Sequence, residues 1–374
     1  MTSKKTTRIA VFFTHGVSLE LWEQRGMFSR EVTFYEELAR ELGEVCFFTY
    51  GRNDARFASK LGTQIRLFPK RLPVPNLLYA VLLPFLYWRE LSQVQALRIH
   101  QLAGAIPAVI THWLMCKPLI VRGGFQWLTF ARKQGASKLK QRCISIIERL
   151  SYRSANVIIH TTQADATFVQ NRYGIHPEKI QVIPNYVDTE LFKPMNTQKH
   201  PQSLCYVGRF EEQKNLFNLL GAMEGSQIHL VLYGDGSLKS ELEHRAKQLN
   251  IHASFMGRIA NEELPYALNT CEAFILPSWY EGNPKVLLEA MSCGLPCIGT
   301  NVEGIASLIK DGETGLLCDP SSPSIAQAIH TLFADQDFRN RLGYTARTHI
   351  LKSVSLTQVI QRECPFYDSQ HERV

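Results

Sequence analysis

The sequence predicts an α/β protein with two doubly wound, Rossmann-like domains that face a cleft. Short apolar strands alternate with helical patterns along the chain, which is typical of parallel sheets covered on both faces. A polar stretch over 194–203 separates two such runs, and 374 residues suffice for two ordinary domains. Sheets of this kind bind ligands at the carboxyl ends of their strands, so we expect the ligand there.

The first domain is predicted to span residues 1–190. Helical patterns lie between its strands, and one helix is expected over 30–42 with Ser29 as its N-cap. The 12 residues of 14–25 exceed a usual strand-to-helix loop and are expected to wall an acceptor pocket. The strands of this domain are predicted at 9–13, 44–49, 96–99, 119–122 and 157–160.

The second domain is predicted to span 200–352, and the tail over 353–374 is expected to form a final helix. Its strands are separated by helices, as in the first domain. They are predicted at 203–207, 228–232, 254–256, 273–277, 297–299 and 316–317.

Composition is that of a folded globular protein, with 45% apolar and 20% charged residues. The net charge of +7 fits an anionic partner, which can be a nucleotide, a phospholipid surface or a phosphorylated acceptor. Nine scattered cysteines without a CxxC motif are typical of a reducing cytosol, and Cys293 and Cys297 are expected to be core thiols. No signal peptide is evident before the first strand, so a cytoplasmic location is expected.

An apolar segment over 72–88 contains no charge and three prolines, and it is short for a membrane span. A helix of the first domain is the favoured interpretation, and an interfacial membrane contact is the alternative. A basic run follows, in which Glu148 is the single acid. It fits either a solvated helix face or a surface for an anionic membrane or polyanionic acceptor. Its basic members are Arg132, Lys133, Lys138, Lys140, Arg142, Arg149 and Arg153.

A helix is predicted over 284–293, with Pro284 as its first residue and Asn283 as its N-cap. Gly294 is expected to close it in the left-handed conformation. The free N–H groups of its N-terminus suit a phosphate.

Two glutamates flank that predicted phosphate site. Glu281 lies just before the helix and Glu289 lies about one and a half turns into it. Two acceptors beside a phosphate pocket can bind two polyhydroxyl groups, and a nucleotide sugar has two, its sugar and its ribose.

A second motif follows the strand predicted at 203–207. A glycine loop presents Arg209 and Lys214 at the carboxyl end of the strand, and Asn215 is expected to cap the next helix. Two cations at this position can neutralise a diphosphate leaving group. Because Asp235 belongs to no Asp-x-Asp pair, we expect no divalent metal at the site.

The glutamate block and the Arg209–Lys214 motif together resemble the retaining GT-B glycosyltransferases of glycosyltransferase family 4. The resemblance implies that Arg209 and Lys214 hold the donor diphosphate, that Glu281 contacts the donor sugar and that Glu289 contacts the ribose. It also implies that the last helix crosses back onto the first domain. Further donor-binding positions implied by it are Asn283, Pro284, Lys285, Val286, Gly234, Arg258 and Ile259.

The resemblance places three candidates in the first domain. Gly26 matches one glycine of the Gly-Gly loop of the family, and Met27 replaces the other. The helix after His100 resembles a helix of the family that begins just after a histidine near the reacting sugar. The resemblance therefore implies that His100 lies near the reacting sugar. Arg122 departs from the histidine common in the family and is expected to bind an acceptor phosphate or carboxylate.

The implied function is transfer of a hexosyl group from a UDP-, GDP- or ADP-hexose to a saccharide or lipid-linked saccharide, with no metal cofactor. A role in surface polysaccharide or glycolipid synthesis is expected, at the inner face of a membrane. No contact with nucleic acid is expected. Two alternatives stay open, a sugar-nucleotide 2-epimerase of the same fold and a non-catalytic scaffold.

Overall fold

The fold consists of two compact α/β units. The computed structural model describes residues 6–123, 127–133 and 135–367. One unit combines Met1–Pro184 with Ile360–Val374, and the other is Asn185–Val359. The predicted α/β class, with two parallel sheets flanked by helices, is confirmed. Residues 368–374 of the predicted tail helix lie outside the described residues.

Unit 1 contains a parallel sheet of seven strands in the order β3-β2-β1-β4-β5-β6-β7. Its central strands are apolar and buried, as in sheets covered on both faces. The strands are β1 (Thr7–Phe12), β2 (Gly43–Phe48), β3 (Ile65–Phe68), β4 (Ala96–Ile99), β5 (Leu119–Gly123), β6 (Val157–His160) and β7 (Ile180–Val182).

The two edge strands of this sheet, β3 and β7, are absent from the predicted set. Both are short, and their exposed or half-buried positions weaken the apolar pattern on which strand prediction depends. Arg66 of β3, for example, is exposed to solvent. The interior strands show the apolar pattern clearly, and β4 and β6 have the predicted bounds.

Eight helices of unit 1 cover the sheet among the described residues. The helix predicted over 30–42 begins earlier, at Phe28, and Met27 occupies its N-cap position. Ser29 therefore lies in the first turn, because the left-handed turn at Gly26 starts the helix sooner. The helices are α1 (Leu19–Gln24), α2 (Phe28–Leu42), α3 (Asn76–Leu86), α4 (Trp88–Ser92), α5 (Ala105–Met115), α6 (Trp127–Lys133), α7 (Lys138–Ser154) and α8 (Gln163–Tyr173).

Unit 2 contains a six-stranded parallel sheet in the order β10-β9-β8-β11-β12-β13. Each strand lies at its predicted position to within one residue at either end. The strands are β8 (Ser203–Val207), β9 (His229–Tyr233), β10 (Ala253–Gly257), β11 (Ala273–Leu276), β12 (Cys297–Thr300) and β13 (Leu316–Cys318).

The helices of unit 2 pack around one continuous apolar core, and the final helix runs on into unit 1. They are α9 (Leu216–Ala222), α10 (Lys239–Gln248), α11 (Leu264–Asn269), α12 (Lys285–Ser292), α13 (Glu303–Ala306), α14 (Ser322–Ala334), α15 (Gln336–Ser353) and α16 (Leu356–Glu363). Cys293 and Cys297 lie in this core as free thiols, as predicted. Within the described part of the chain, no helix combines the length and the apolar character needed to cross a bilayer.

The end of α16 is fastened to the sheet of unit 1 by a buried ion cluster. Glu363 is fully buried and pairs with Arg98 of β4 and Arg122 of β5. Tyr367 adds a hydrogen bond to the same carboxylate at 3.4 Å. Burial raises the pKa of Glu363, but the two guanidinium groups outweigh it and hold the pKa below its ordinary value of 4.5. The carboxylate is therefore charged at neutral pH.

We predict that Glu363→Gln destabilises the protein by about 3 kcal/mol, because it leaves two buried guanidinium groups without their counter-charge. Urea unfolding measures the change, and exposed Glu178→Gln is the matched control with an expected change near zero. Since the folded pKa is depressed, the contribution of Glu363 is complete above about pH 4.5 and declines as the pH falls through the folded pKa. Equal stability of the two variants at pH 7 would contradict the prediction.

Candidate active site

The candidate site of unit 2 lies where the strand order of its sheet reverses. Strands β8 and β11 are direct neighbours, although β9 and β10 lie between them in the chain. The loops that follow two such strands diverge and leave a crevice, which is the usual ligand site of open α/β sheets. The loop after β8 carries Arg209 and Lys214, and the loop after β11 carries Glu281.

An ion pair joins these two loops. The Nζ of Lys214 donates a hydrogen bond to Oε1 of Glu281, and the hydroxyl of Ser278 donates to the same oxygen at 2.7 Å. The side chains of Lys214 and Glu281 are only 12% and 8% exposed. Both were predicted as site residues, but neither their pairing nor the role of Ser278 was predicted.

Amide side chains also tie the two loops together. The side-chain Nε2 of Gln213 donates to the backbone carbonyl of Tyr280 at 2.8 Å. The backbone carbonyl of Gln213 accepts from the backbone N–H of Trp279 at 2.9 Å. Asn215 occupies the N-cap position of α9, as predicted, with φ 57°. Its side chain does not cap the helix, because its Nδ2 donates to the carbonyl of Pro277 at 3.0 Å. A donor of this kind joins loops and cannot satisfy the N–H groups of a helix.

Arg209 is exposed beside this pair. Its backbone carbonyl accepts a hydrogen bond from the Tyr206 hydroxyl at 3.0 Å, which fixes the loop that carries it. Within the described residues, its guanidinium forms no ion pair. The loop therefore presents one free cation next to one that is held by Glu281.

The turns after β8 and β9 approach each other backbone to backbone. Gly234 has φ 151°, and a Cβ atom there would lie 1.8 Å from the carbonyl oxygen of Gly208. The Gly234 N–H donates to the carbonyl of Gly257 at 2.7 Å. The end of β10 therefore also contacts these turns. Gly234 was predicted to let the backbone approach a nucleotide, and the structure shows it approaching Gly208.

We predict that Gly234→Ala destabilises the protein by about 3 kcal/mol, because the added methyl group overlaps the Gly208 carbonyl. Gly225→Ala is the matched control, since Gly225 also has a positive φ of 71° but open space around its Cβ position. About 1 kcal/mol is expected for that control from backbone strain alone. Equal losses of the two variants in urea unfolding would remove the close approach as the cause.

The N-terminus of α12 faces the same loop region. The helix begins at Lys285, Pro284 occupies the N-cap position and no side chain caps the helix in the described structure. The prediction of Asn283 as the N-cap is therefore wrong by one position. The Oδ1 of Asn283 instead accepts from the backbone N–H of Asn185 at 2.9 Å. The backbone carbonyl of Asn283 accepts from the side-chain Nδ2 of Asn185 at 2.8 Å.

Asn283 thereby gains a defined orientation. Because a backbone N–H donates to it, the accepting atom must be the oxygen, and the remaining Nδ2 is a donor. That Nδ2 is buried and has no hydrogen-bond partner among the described residues. An unpaired buried donor costs about 1–3 kcal/mol, which a ligand acceptor would recover. Asn185, which holds this orientation, was not predicted as a site residue.

The other predicted donor-binding residues have different surroundings. Glu289 is buried within α12. Lys285 places its Nζ 4.4 Å from the centre of the Tyr186 ring. Val286 and Ile259 pack against the core of unit 2, and Arg258 is exposed and pairs with Asp235 at 3.2 Å.

His100 of unit 1 lies at the equivalent reversal of the first sheet, between β1 and β4. Its ring is enclosed by Phe13, Trp22 and Tyr35, with centroids 5.1–6.0 Å apart. The Tyr35 oxygen lies 2.7 Å from Nδ1, and Nε2 lies 4.0 Å from Glu31. Burial raises the pKa of Tyr35 to about 12, so the hydroxyl keeps its proton and can donate to Nδ1. The ring is thus oriented.

Gly26 and Arg122 complete the unit 1 candidates. Gly26 has φ 63° and open space at its Cβ position, which permits close approach of its backbone to a ligand. Arg122 is mostly buried in its ion pair with Glu363 and also donates to the carbonyl of Pro184 at 3.4 Å. Its guanidinium therefore has a structural role, and acceptor binding stays a prediction. Over the described residues, no group of three or more His, Cys, Asp or Glu side chains is arranged to hold a metal ion.

Two family models match this chain. The model for glycosyl transferases group 1 matches residues 187–349, and that for glycosyltransferase family 4 matches residues 26–191. Together the two models span both units, so this chain is similar to group 1 glycosyltransferases. The first model includes the ion pair between Lys214 and Glu281, and the second includes Gly26, His100 and Arg122.

Relatives of this chain include D-inositol 3-phosphate glycosyltransferase of Paenarthrobacter aurescens (strain TC1), 27% identical over 70% of this chain and 66% of that protein. The chain spans 40–66% of the length of the first curated relatives it matches. Sucrose-phosphate synthase from Thermosynechococcus elongatus has a TM-score of 0.75 at 20% identity, covering 96% of this chain and 98% of that one. Anabaena HepE, solved with UDP and glucose, has a TM-score of 0.74 at 19% identity and the same coverage. These structures establish the GT-B fold.

We predict that the stability effects of Lys214→Met and Glu281→Gln are coupled by about 1–2 kcal/mol, because each single change leaves one largely buried group without its partner. A double-mutant cycle in urea unfolding measures the coupling. The exposed pair Lys239 and Glu243 is the control, with an expected coupling below about 0.5 kcal/mol. Additive effects at Lys214 and Glu281 would show that the ion pair is not held in solution.

Proposed function

We propose that this protein is a retaining glycosyltransferase that moves a hexosyl group from a nucleotide sugar to an acceptor hydroxyl without a metal ion. One observation carries the proposal. The Lys214–Glu281 pair joins the loops after β8 and β11 at the strand reversal of unit 2. The first loop also carries the exposed Arg209, and the second leads into α12, whose N-terminus no side chain caps in the described structure. Cations and a free helix N-terminus suit a diphosphate, and a carboxylate suits sugar hydroxyls.

Each residue has a proposed role in binding the donor. Arg209, Lys214 and the first N–H groups of α12 would bind the diphosphate, with the Nδ2 of Asn283 as a further donor. Glu281 would accept hydrogen bonds from the sugar and Glu289 from the ribose. The turn residues Gly234, Arg258 and Ile259 would lie along the nucleoside, and Pro284, Lys285 and Val286 would line the diphosphate site.

The proposed reaction breaks the bond between the anomeric carbon and the leaving diphosphate oxygen. The acceptor oxygen bonds to the same face of that carbon, and its proton passes to the leaving diphosphate. Arg209 and Lys214 would stabilise the charge that grows on the leaving group, which supports a reaction without a divalent metal. His100 and Gly26 are proposed to contact the sugar and the diphosphate of the donor.

The donor and acceptor are proposed by class. UDP-, GDP- and ADP-hexoses all fit the argument, and HepE, a fold neighbour, was solved with UDP-glucose, which makes that donor the first to test. The proposed acceptor is a saccharide or lipid-linked saccharide of surface polysaccharide or glycolipid synthesis, reached at the inner face of a membrane. The net charge of +7 supports an anionic acceptor or surface.

We predict that Arg209→Ala and Lys214→Ala each lower kcat by about 10²–10³-fold, because each removes charge stabilisation of the leaving group. Donors are first ranked by thermal shift with UDP, GDP, ADP and their hexoses. A ligand at about 100 times its Kd adds roughly 2.7 kcal/mol to the free energy of unfolding. Exposed Arg245→Ala on α10 is the control and should keep normal turnover. Normal turnover in both folded loop variants would overturn the assignment.

We also predict that transfer continues in excess EDTA and gives a product with the anomeric configuration of the donor. NMR of the anomeric proton identifies that configuration. Loss of transfer that only Mg²⁺ or Mn²⁺ restores would show a required metal, and an inverted product would exclude retention. Release of a free nucleotide sugar with altered stereochemistry, without any acceptor, would instead indicate an epimerase.

A further inference from the structure

Three neighbouring helices of unit 1 expose large apolar side chains to solvent. Helix α5 packs against both α3 and α7, and the Trp113 indole of α5 donates to the Ser154 hydroxyl of α7 at 3.0 Å. We call their outer surface the α3–α5–α7 face. Exposed apolar residues cluster on it and on the adjacent start of α4: Leu77, Leu78, Val81, Phe85, Trp88, Trp113, Leu114, Leu139, Ile146 and Leu150.

Helix α3 is apolar on both sides. Its inner side buries Tyr79, Ala80, Leu83 and Pro84, and its outer side carries an exposed apolar stripe that includes Phe85 at 56% exposure. The sequence Asn76–Leu86 contains no charged residue. The favoured interpretation of 72–88 is a helix of the first domain. Packing in that domain explains the apolar residues on the inner side of α3 but not those on its outer side. Contiguous exposed apolar surface of this kind marks an interaction site.

Helix α7 combines an apolar stripe with a basic edge. Leu139, Ile146 and Leu150 are spaced by seven and four residues and share one side of the helix, and Leu139 is 72% exposed. An edge formed by Arg142, Arg149 and Arg153 runs beside that stripe, since these residues follow the same spacing three positions later. Apolar side chains flanked by cations suit the boundary between lipid tails and anionic headgroups. The side chain of Lys133, another member of the basic run, lies outside the described structure.

A basic pocket of about 430 Å³ opens at this edge. Arg149 and Arg153 of α7 meet Arg172 at the end of α8, and Ser145, Tyr173 and Gly174 complete the lining. The guanidinium of Arg172 is held between aromatic rings, 5.9 Å from Phe168 and 5.6 Å from Tyr173. Three arginines therefore line one pocket, and guanidinium groups are donors that suit a phosphate in charge and hydrogen bonding.

The one acid of the basic run does not occupy the pocket. Glu148 is buried, and its carboxylate accepts from the Tyr173 hydroxyl and from the Leu128 N–H at 3.1 Å. Burial raises the pKa of this carboxyl group, although both hydrogen bonds and nearby arginines lower it. The Glu148 side chain is thus committed to hydrogen bonds with Tyr173 and Leu128 in the interior.

We propose that the α3–α5–α7 face binds an anionic phospholipid bilayer, with the apolar side chains entering the headgroup boundary and the pocket of Arg149, Arg153 and Arg172 receiving a lipid phosphate. Charge complementarity supports a membrane over an apolar protein partner, because the apolar stripe and the basic pocket share helix α7. This binding is independent of the proposed transfer chemistry, since it involves no residue of the donor site.

Co-sedimentation with vesicles tests this surface. The wild-type chain should bind phosphatidylglycerol-containing vesicles at low salt, bind more weakly at high salt and bind pure phosphatidylcholine vesicles poorly. Arg149→Gln/Arg153→Gln should weaken binding to the anionic vesicles by roughly 30-fold, since each basic residue near the surface contributes about 1 kcal/mol. Leu78→Gln/Phe85→Gln should weaken binding by at least about 10-fold at both salt concentrations.

Matched controls lie in unit 2. Leu351→Gln removes an exposed leucine, and Arg245→Gln/Lys247→Gln removes two exposed cations of α10, so neither should change vesicle binding. Thermal shift with glycerol 3-phosphate separates the sources of phosphate. Stabilisation by this soluble anion through Arg149 and Arg153, without vesicle binding, would overturn the membrane assignment in favour of a soluble ligand. Absence of vesicle binding at either salt concentration, or unchanged binding in both α3 and α7 variants, would also overturn it.

Discussion

The candidate site depends on the pairing of β8 with β11 at the reversal of the second sheet. That pairing brings together the loops that carry Lys214 and Glu281, which are 67 residues apart in the chain. The amides of Gln213 and Asn215 then hold the two loops at hydrogen-bonding distance. The site is built at strand ends, and the contacts of these two amides end on backbone carbonyl groups of the other loop.

Local signals in the sequence predicted most of the elements, whereas the partner of each side chain depends on the fold. Helix α12 was predicted because Pro284 and Gly294 restrict only the backbone conformation within a few residues in sequence. Gly294 has the expected positive φ of 75°. Asn283 was misassigned as the N-cap of α12, and Asn215 lies at its predicted N-cap position without a side-chain cap bond. Distant groups, the Asn185 N–H and the Pro277 carbonyl, compete for these two side chains. The apolar pattern of 72–88 likewise indicates a helix but cannot show which of its sides is covered.

Two ion clusters of similar chemistry differ in what surrounds them. Glu363 is fully buried and is paired with two arginines, of which Arg98 is also buried. The Lys214–Glu281 pair is partly accessible and has a free arginine beside it. An incoming anion can therefore compete for Lys214, and the released carboxylate is then free to accept hydrogen bonds. The degree of burial separates a structural cluster from one suited to binding.

The return of the chain to unit 1 also determines an order of assembly. Arg98 and Arg122 emerge from the ribosome long before Glu363, because all of unit 2 is synthesised between them. During that interval the sheet of unit 1 holds two cations at interior positions whose counter-charge has yet to be made, a costly arrangement. Unit 2 is continuous in sequence and meets no such delay. The domain that is translated first is therefore the one that is completed last.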